Sequence, residues 1–331
     1  MRSFPAWVGL ALLIAGCGDD RSAGNNGTST DNVLSARFSV DSIALDLVRP
    51  DTGAYPLLVR LDSGDLDHSK TLFGGADLHL NLDNGISVPF AVREWDRSGR
   101  QGSLWARIPR NQLGRHRLLE ISYGDEVNRN LSNPVATWDG VSRNLKARLT
   151  SVVLADFEQD TLRALLPCNC NNWYADVSPG STLLKPAAGK PIESAIVADP
   201  LGKRTWVLHI SYTAGPNNWS LAGTRLGTQF HRMGMLDSIT LRARGKGVLR
   251  VALEDGRDTL GFTKAWAPVA LDSLWKRVVI KPSDFDAPDQ WNTGWLSVKD
   301  RINTFTVFGQ QGTDFWVDDI VFHGIGPQDL P

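Results

Sequence analysis

Apolar residues in this chain recur at every second position in short runs, and turn residues break the runs. Leu78, Leu80 and Leu82 alternate with polar neighbours, Asp83-Asn84-Gly85 follows, and Ile86, Val88, Phe90 and Val92 resume the same spacing. A period of two puts one face of a strand on a core and the other in water. Asn-Gly supplies the positive φ that a tight hairpin needs. Similar runs fall at 55–61, 103–109, 118–124, 236–245, 249–254, 272–285 and 300–308. Long helical periods are absent, and 31 Gly and 17 Pro punctuate the chain. The pattern predicts an all-β protein of two β-sandwich domains, since about two domains' worth of chain follows residue 32.

The first 32 residues read differently. Met1-Arg2-Ser3 is a short basic start, Ala6 to Ala15 is almost wholly apolar, and Ile14-Ala15-Gly16-Cys17 follows. The apolar run is too short to span a bilayer as a helix and reads as a secretory signal over 1–16. Small residues ahead of Cys17 resemble the lipobox of bacterial lipoproteins, which implies lipidation of Cys17 and attachment to a membrane. Residues 17–32 are small and polar, cannot bury enough apolar surface to fold, and read as a flexible tether. The expected location is the bacterial cell envelope, lipid-anchored, at the outer membrane or cell surface. The other cysteines are Cys168 and Cys170, too few for a metal site; two free thiols in a loop are one reading, and a disulfide across one residue through a tight, strained turn is the expected one, since unprotected thiols are a liability in an oxidising compartment.

Charge removes one class of partner. The 35 Lys and Arg offset 36 Asp and Glu, with no basic block or stripe, so nucleic acid is not expected. Enzyme signatures are absent too: no Gly-x-Ser-x-Gly elbow, no His-Glu-x-x-His, no phosphate loop. A glycosidase needs two carboxylates facing across a cleft. Carboxylates are plentiful here but none sits in a recognisable motif. A glycosidase or lyase assembled from distant residues stays open as an alternative, as does a protein-docking scaffold.

Residues 33–142 form the first predicted domain. Its ordered pieces Tyr55-Pro56, Arg60-Leu61-Asp62, Gly75-Ala76-Asp77-Leu78, Glu94-Trp95-Asp96, Leu104-Trp105-Ala106-Arg107-Ile108-Pro109, Ser122-Tyr123-Gly124-Asp125 and Trp138-Asp139 resemble DUF2341, a bacterial domain of unknown function. That family brings no chemistry with it. Trp95 and Trp105 read as core or edge aromatics, in line with the usual burial of such rings.

The second predicted domain, 152–325, carries more. Eight of the twelve tryptophans follow residue 150. The segment opens with Asp156-Phe157-Glu158 and closes with Phe315-Trp316-Val317-Asp318-Asp319-Ile320. Alternation puts Asp156 and Glu158 on one side of a first strand, and Trp316, Asp318 and Ile320 on one face of a last strand. Carboxylates among apolar residues need a partner, and Ca2+ is a hard cation that takes carboxylate oxygens. Asp156, Glu158 and Asp318 are the expected ligands.

These ends, with Trp275-Lys276 and Ser283-Asp284-Phe285 between them, resemble the family 11 carbohydrate-binding modules of the galactose-binding-like superfamily. The resemblance implies a jelly roll with structural calcium, whose concave face takes one β-glucan chain by aromatic stacking and polar contacts. On that reading the ligand-binding residues are Trp173, Trp219, Arg250, Glu254, Trp266, Trp291, Trp295 and Gln310. For Trp219, Trp266, Trp291 and Trp295, an open platform and ordinary packing are both available; Trp206, Trp275 and Trp316 lie in apolar strands and read as core. Arg250 and Glu254 share a face opposite Val251 and Leu253. Stacking a pyranose on indole removes apolar area from water at roughly 25 cal/mol per Å². The expectation is a membrane-anchored, non-catalytic binder of β-glucan or a related plant polysaccharide.

Overall fold

The computed structural model describes residues 34–39, 54–109, 118–125, 130–141, 143–158, 172–202, 206–213, 215, 218–227, 231–255, 263–310, 312–326 and 329–330. Cys17, Cys168 and Cys170 lie outside these residues. Strands dominate, and the described chain divides into two compact units between Lys146 and Ala147. The all-β reading holds in both. Among the described residues no helix is long and apolar enough to cross a membrane.

In the first unit the strands are β1 (Leu34–Ser39), β2 (Ala54–Leu61), β3 (His79–Leu82), β4 (Phe90–Asp96), β5 (Gln101–Pro109) and β6 (Leu118–Tyr123). They form two antiparallel three-stranded sheets, β1-β6-β3 and β2-β5-β4. Leu57, Val59, Leu104 and Ile108 from one sheet share a core with Leu80, Leu82, Leu119 and Ile121 from the other. The Asp83-Asn84-Gly85 turn is present, with Gly85 at φ 80° and Val88 N donating to Leu80 O at 2.8 Å. The return run does not stay in that sheet. Beyond Pro89 the chain pairs as β4 with β5 in the other sheet, so one alternating run serves both layers.

Helix α1 (Pro134–Trp138) is capped by the Asn133 side chain and lays Trp138 on the buried Trp105 at 5.3 Å. Trp105 is therefore packed, as its sequence context suggested.

Helix α2 (Arg143–Thr150) runs across the division. The second unit follows with β7 (Ser151–Ala155), β8 (Trp173–Val177), β9 (Thr182–Lys185), β10 (Ile196–Ala198), β11 (Trp206–Thr213), β12 (Trp219–Arg225), β13 (Ser238–Lys246), β14 (Val248–Glu254), β15 (Lys264–Ala270), β16 (Lys276–Ile280), β17 (Thr304–Gln310) and β18 (Asp314–His323). A seven-stranded sheet runs β10-β11-β18-β13-β16, with β7 also on β18 and β9 also on β11; a five-stranded sheet runs β15-β14-β17-β12-β8. The chain changes sheet from β11 to β12, β12 to β13, β13 to β14, β15 to β16, β16 to β17 and β17 to β18, which makes the unit a jelly-roll sandwich. Ile210, Leu241, Val317 and Phe322 from one sheet meet Leu249, Val251, Leu253, Phe305 and Val307 from the other.

Both acidic ends depart from simple alternation. β7 stops at Ala155, and Phe157 turns back into the core at φ 52°, so Asp156 and Glu158 do not share a strand face. In β18 the pairing shifts: Thr240 opposes Val321, but Arg242 opposes Asp318. One extra residue is therefore inserted, and Asp319 takes it up at φ 50°. Such a bulge re-aims every later side chain. Phe315, Val317, Ile320 and Phe322 share the core, while Trp316 faces outward, so the expected grouping of Trp316 with Ile320 is wrong.

Candidate functional site

The outer face of the five-stranded sheet collects most of the chemistry. Strand register fixes its rows. In the central row Trp266 (β15) opposes Ala252 (β14), which opposes Thr306 (β17), then Gly223 (β12), then Tyr174 (β8). On one side runs Pro268, Arg250, Phe308, Leu221 and Asp176; on the other, Lys264, Glu254, Thr304 and Arg225. Trp219 opposes Gln310 one row beyond Phe308. The alternate residues, Val251, Leu253, Phe305, Val307 and Ala222, fill the core, which is why this face is left to polar groups.

The central row has large rings at its ends and small groups between them. Gly223 has no side chain and Ala252 only a methyl group, so the row carries little bulk between Tyr174 and Trp266; this stretch, the trough, is closed over by its neighbours, with Ala252 0% and Thr306 1% exposed. At roughly 4.8 Å per strand the row spans about 19 Å. Tyr174 is 40% exposed, and burial together with the nearby Glu254 carboxylate pushes its phenol up to about 12. Thr306 Oγ1 donates to Glu254 Oε1 at 2.5 Å, which holds that carboxylate beside the trough.

Trp266 is covered. Its ring is 4% exposed, with the Arg250 guanidinium 4.1 Å from the centroid and Phe308 edge-on at 6.2 Å. Arg250 in turn donates to Gln310 Oε1 and pairs with Asp289 at 3.4 Å. Lys264 lies 5.3 Å from the Phe308 ring. The aromatic end of the trough is thus surfaced by cations lying on rings, an arrangement favoured by the ring quadrupole. Asp176, Glu254 and Asp289 balance Arg225, Arg250 and Lys264, so the face has no net formal charge.

The predicted binding residues separate into three groups. Trp219, Arg250, Glu254, Trp266 and Gln310 share this face. Trp291 is 70% exposed on the loop that flanks β15, where Asn292 Nδ2 donates to Trp266 O at 3.0 Å. Trp173 and Trp295 are corrections. Trp173 is 2% exposed and packs on Phe157 at 5.4 Å and Phe305 at 6.1 Å. Trp295 is 8% exposed and stacks on Phe285 at 5.7 Å. Neither ring offers a platform. Tyr174, one position after Trp173, was not among the predicted residues and lies on this face. The signal was there, because alternation in β8 gives the two rings opposite faces.

The outer strands carry another correction. Trp206 is 44% exposed rather than core. Trp316 lies on the outer face of the seven-stranded sheet, stacked on His209 at 4.0 Å with the Arg244 guanidinium at 4.4 Å. Trp275 is half-buried and donates from Nε1 to Asp199 at 3.0 Å. Arg244 Nη1 lies 3.8 Å from Asp199 Oδ1, and its buried Nε and Nη1 make no hydrogen bond.

The expected calcium ligands differ in burial. Asp318 is fully buried, Asp156 is half-buried with Oδ1 accepting from Glu158 N at 3.2 Å, and Glu158 is exposed. Among the described residues no group of three or more His, Cys, Asp or Glu is arranged to hold a metal ion.

An open cleft of about 550 Å³ lies elsewhere, between the free edges of β15 and β16, lined by Pro268, Val269, Val278, Ser283 and Asp286. It shares Pro268 with the outer face of the five-stranded sheet.

No protein-family model matches the chain, so the likeness of the first unit to DUF2341 rests on its motifs alone. No curated protein matches it either. Among solved structures it is similar to the family 11 carbohydrate-binding module of the cellulosomal cellulase Lic26A-Cel5E of Clostridium thermocellum, at 18% identity and a TM-score of 0.37, over 54% of this chain and 95% of that one. The family 11 module from the same organism in complex with a β-1,3-1,4-mixed-linked tetrasaccharide aligns at 18% identity and a TM-score of 0.38, over 54% and 98%. A family 29 carbohydrate-binding module aligns at 10% identity and a TM-score of 0.31, over 55% and 93%.

Proposed function

We propose that the second unit binds a neutral polysaccharide chain of the β-glucan class in the trough across its five-stranded sheet, without cleaving it. The observation that carries this reading is the central row, with Tyr174 and the Arg250-covered Trp266 at its ends and Gly223, Thr306 and Ala252 as its floor. A sugar ring has one apolar face, which suits the exposed Tyr174 ring, and hydroxyls, which suit Glu254, Arg250, Gln310 and Asp176. The balance of charge on the face disfavours polyanionic glycans, which would require an excess of cations.

Binding of this kind gives modest affinity, because ordering and desolvation offset much of the contact energy. Display of many copies on a surface would strengthen it. Lipidation at Cys17 and an envelope location are the part of the proposal that supplies such display; the apolar run ahead of Cys17 supports them. Calcium has no part in the reading. Calorimetric titration with cellohexaose, soluble mixed-linkage β-glucan and polygalacturonate tests it. Binding of the two neutral glucans, unchanged between low and high salt, is the expected result. Binding of the uronate alone, or of none, would overturn it.

A further inference from the structure

Gly223 sits in the interior of β12, paired on both sides, with Tyr174 opposite it on β8 and Thr306 opposite it on β17. Its backbone does not explain it, since it is not among the glycines with positive φ. Glycine inside a regular strand weakens the strand and commonly marks a place where another group comes close. Here that group is visible. A Cβ at Gly223 would lie 2.8 Å from Tyr174 Oη, 2.9 Å from its Cζ and 2.7 Å from Thr306 Cγ2. The far end of the phenol therefore passes over the Gly223 backbone, and the ring leans along the sheet instead of standing away from it.

We infer that Gly223 is the positioning residue of the glycan site: its missing side chain lets the Tyr174 ring lie across the trough and form the platform on which a sugar stacks. The inference rests on the reading of the trough as a polysaccharide site. Any β-carbon at position 223 lifts the ring and fills the floor together. Two independent observations agree with the placement. Tyr174 is only partly exposed although it lies on an edge strand, and its phenol feels the Glu254 carboxylate two strands beyond β12.

The test uses the whole chain and three variants, Gly223→Ala, Tyr174→Ala and the two combined, titrated with cellohexaose. Gly223→Ala is expected to weaken binding about tenfold or more, as Tyr174→Ala does, with the double variant no weaker than Tyr174→Ala alone. A second readout does not depend on sugar. Tyr174 ionisation, followed by ultraviolet absorbance and assigned by its loss in Tyr174→Phe, is expected to fall from about 12 towards the ordinary 10.0 in Gly223→Ala. If Gly223→Ala does not fold, Gly223→Ala with Thr306→Ser removes the clash with Cγ2 and leaves only that with Tyr174. Wild-type affinity and an unmoved phenol titration in the Gly223 variant would overturn the inference, as would losses that simply multiply in the double variant. If the wild-type chain binds no glucan, the proposed function fails while the phenol titration still decides what Gly223 does.

Discussion

At the scale of single residues, β8 shows how much one position matters. Trp173 and Tyr174 are neighbours, yet one closes the core and the other opens onto the trough. Side chains alternate across a strand, so an error of one residue moves an aromatic from ligand to core. Replacement of each is therefore expected to fail differently. Tyr174→Ala should keep the melting temperature within a few degrees and lose binding. Trp173→Ala should cost about 3–5 kcal/mol, the usual range for deleting a buried large aromatic, whatever its effect on binding. Chemical denaturation and cellohexaose titration of the two variants separate these outcomes. The faces read from sequence hold in Arg250-Val251-Ala252-Leu253-Glu254, where Arg250 and Glu254 lie opposite the buried Val251 and Leu253. Burial was misread at Trp173 and Trp295, because an indole next to Asn, Thr and Gly suits an exposed platform and a buried ring equally well. Gly223 and Thr306 were not legible at all. A groove floor is made by absent bulk, and only strand pairing brings its parts into one row.

At the scale of elements, β18 carries the instructive departure. Its terminal acidic pair suggested a metal clip, but Asp319 is the extra residue of a bulge and pairs with Arg242 at 3.2 Å. The bulge lets Phe315 and Val317 face the core before it, and Ile320 and Phe322 after it. Deleting Asp319 would leave Phe315, Val317, Ile320 and Phe322 in strict alternation on the core face and would remove the half-exposed ion pair with Arg242, so the variant should fold and melt within a few degrees of the wild type. A deletion variant that fails to fold would contradict this account of the bulge. Sequence periodicity registers which residues are apolar, but an insertion of one residue is a property of the pair of strands and is invisible in either alone. The same reasoning applies to calcium. With no metal-holding group of carboxylates among the described residues, the melting temperature should be the same in millimolar calcium and in EDTA, and a rise with calcium would show that a site exists.

At the scale of the whole molecule, four buried or half-buried histidines set the response to acid. His68 in the first unit, and His209, His231 and His323 in the second, are all held below the ordinary histidine value of 6.5, with burial the largest cause in each. For His209 the contact with Asp314 at 2.7 Å pulls the other way without reversing the direction. A histidine that is harder to protonate when folded binds fewer protons in the native state than in the unfolded one. Its contribution is full above pH 6.5 and is lost as pH falls below it. Melting temperatures should therefore be level from pH 8 to 7 and fall from pH 6.5 to 5, by roughly 2–4 °C for each kcal/mol in a unit of this size. A stability that rose on acidification would contradict these assignments. The all-β class was legible because turns and period two repeat along the chain. The two compact units divide inside α2, at Lys146.

The most direct test of the trough is a titration of the whole chain with cellohexaose, followed residue by residue through backbone amide NMR shifts. The shifts should concentrate at Tyr174, Gly223, Ala252, Glu254 and Thr306, in one row across the five-stranded sheet. Shifts that instead gather around His209 and Trp316 on the other sheet, or that are absent at saturating sugar, would contradict a glycan site on this face.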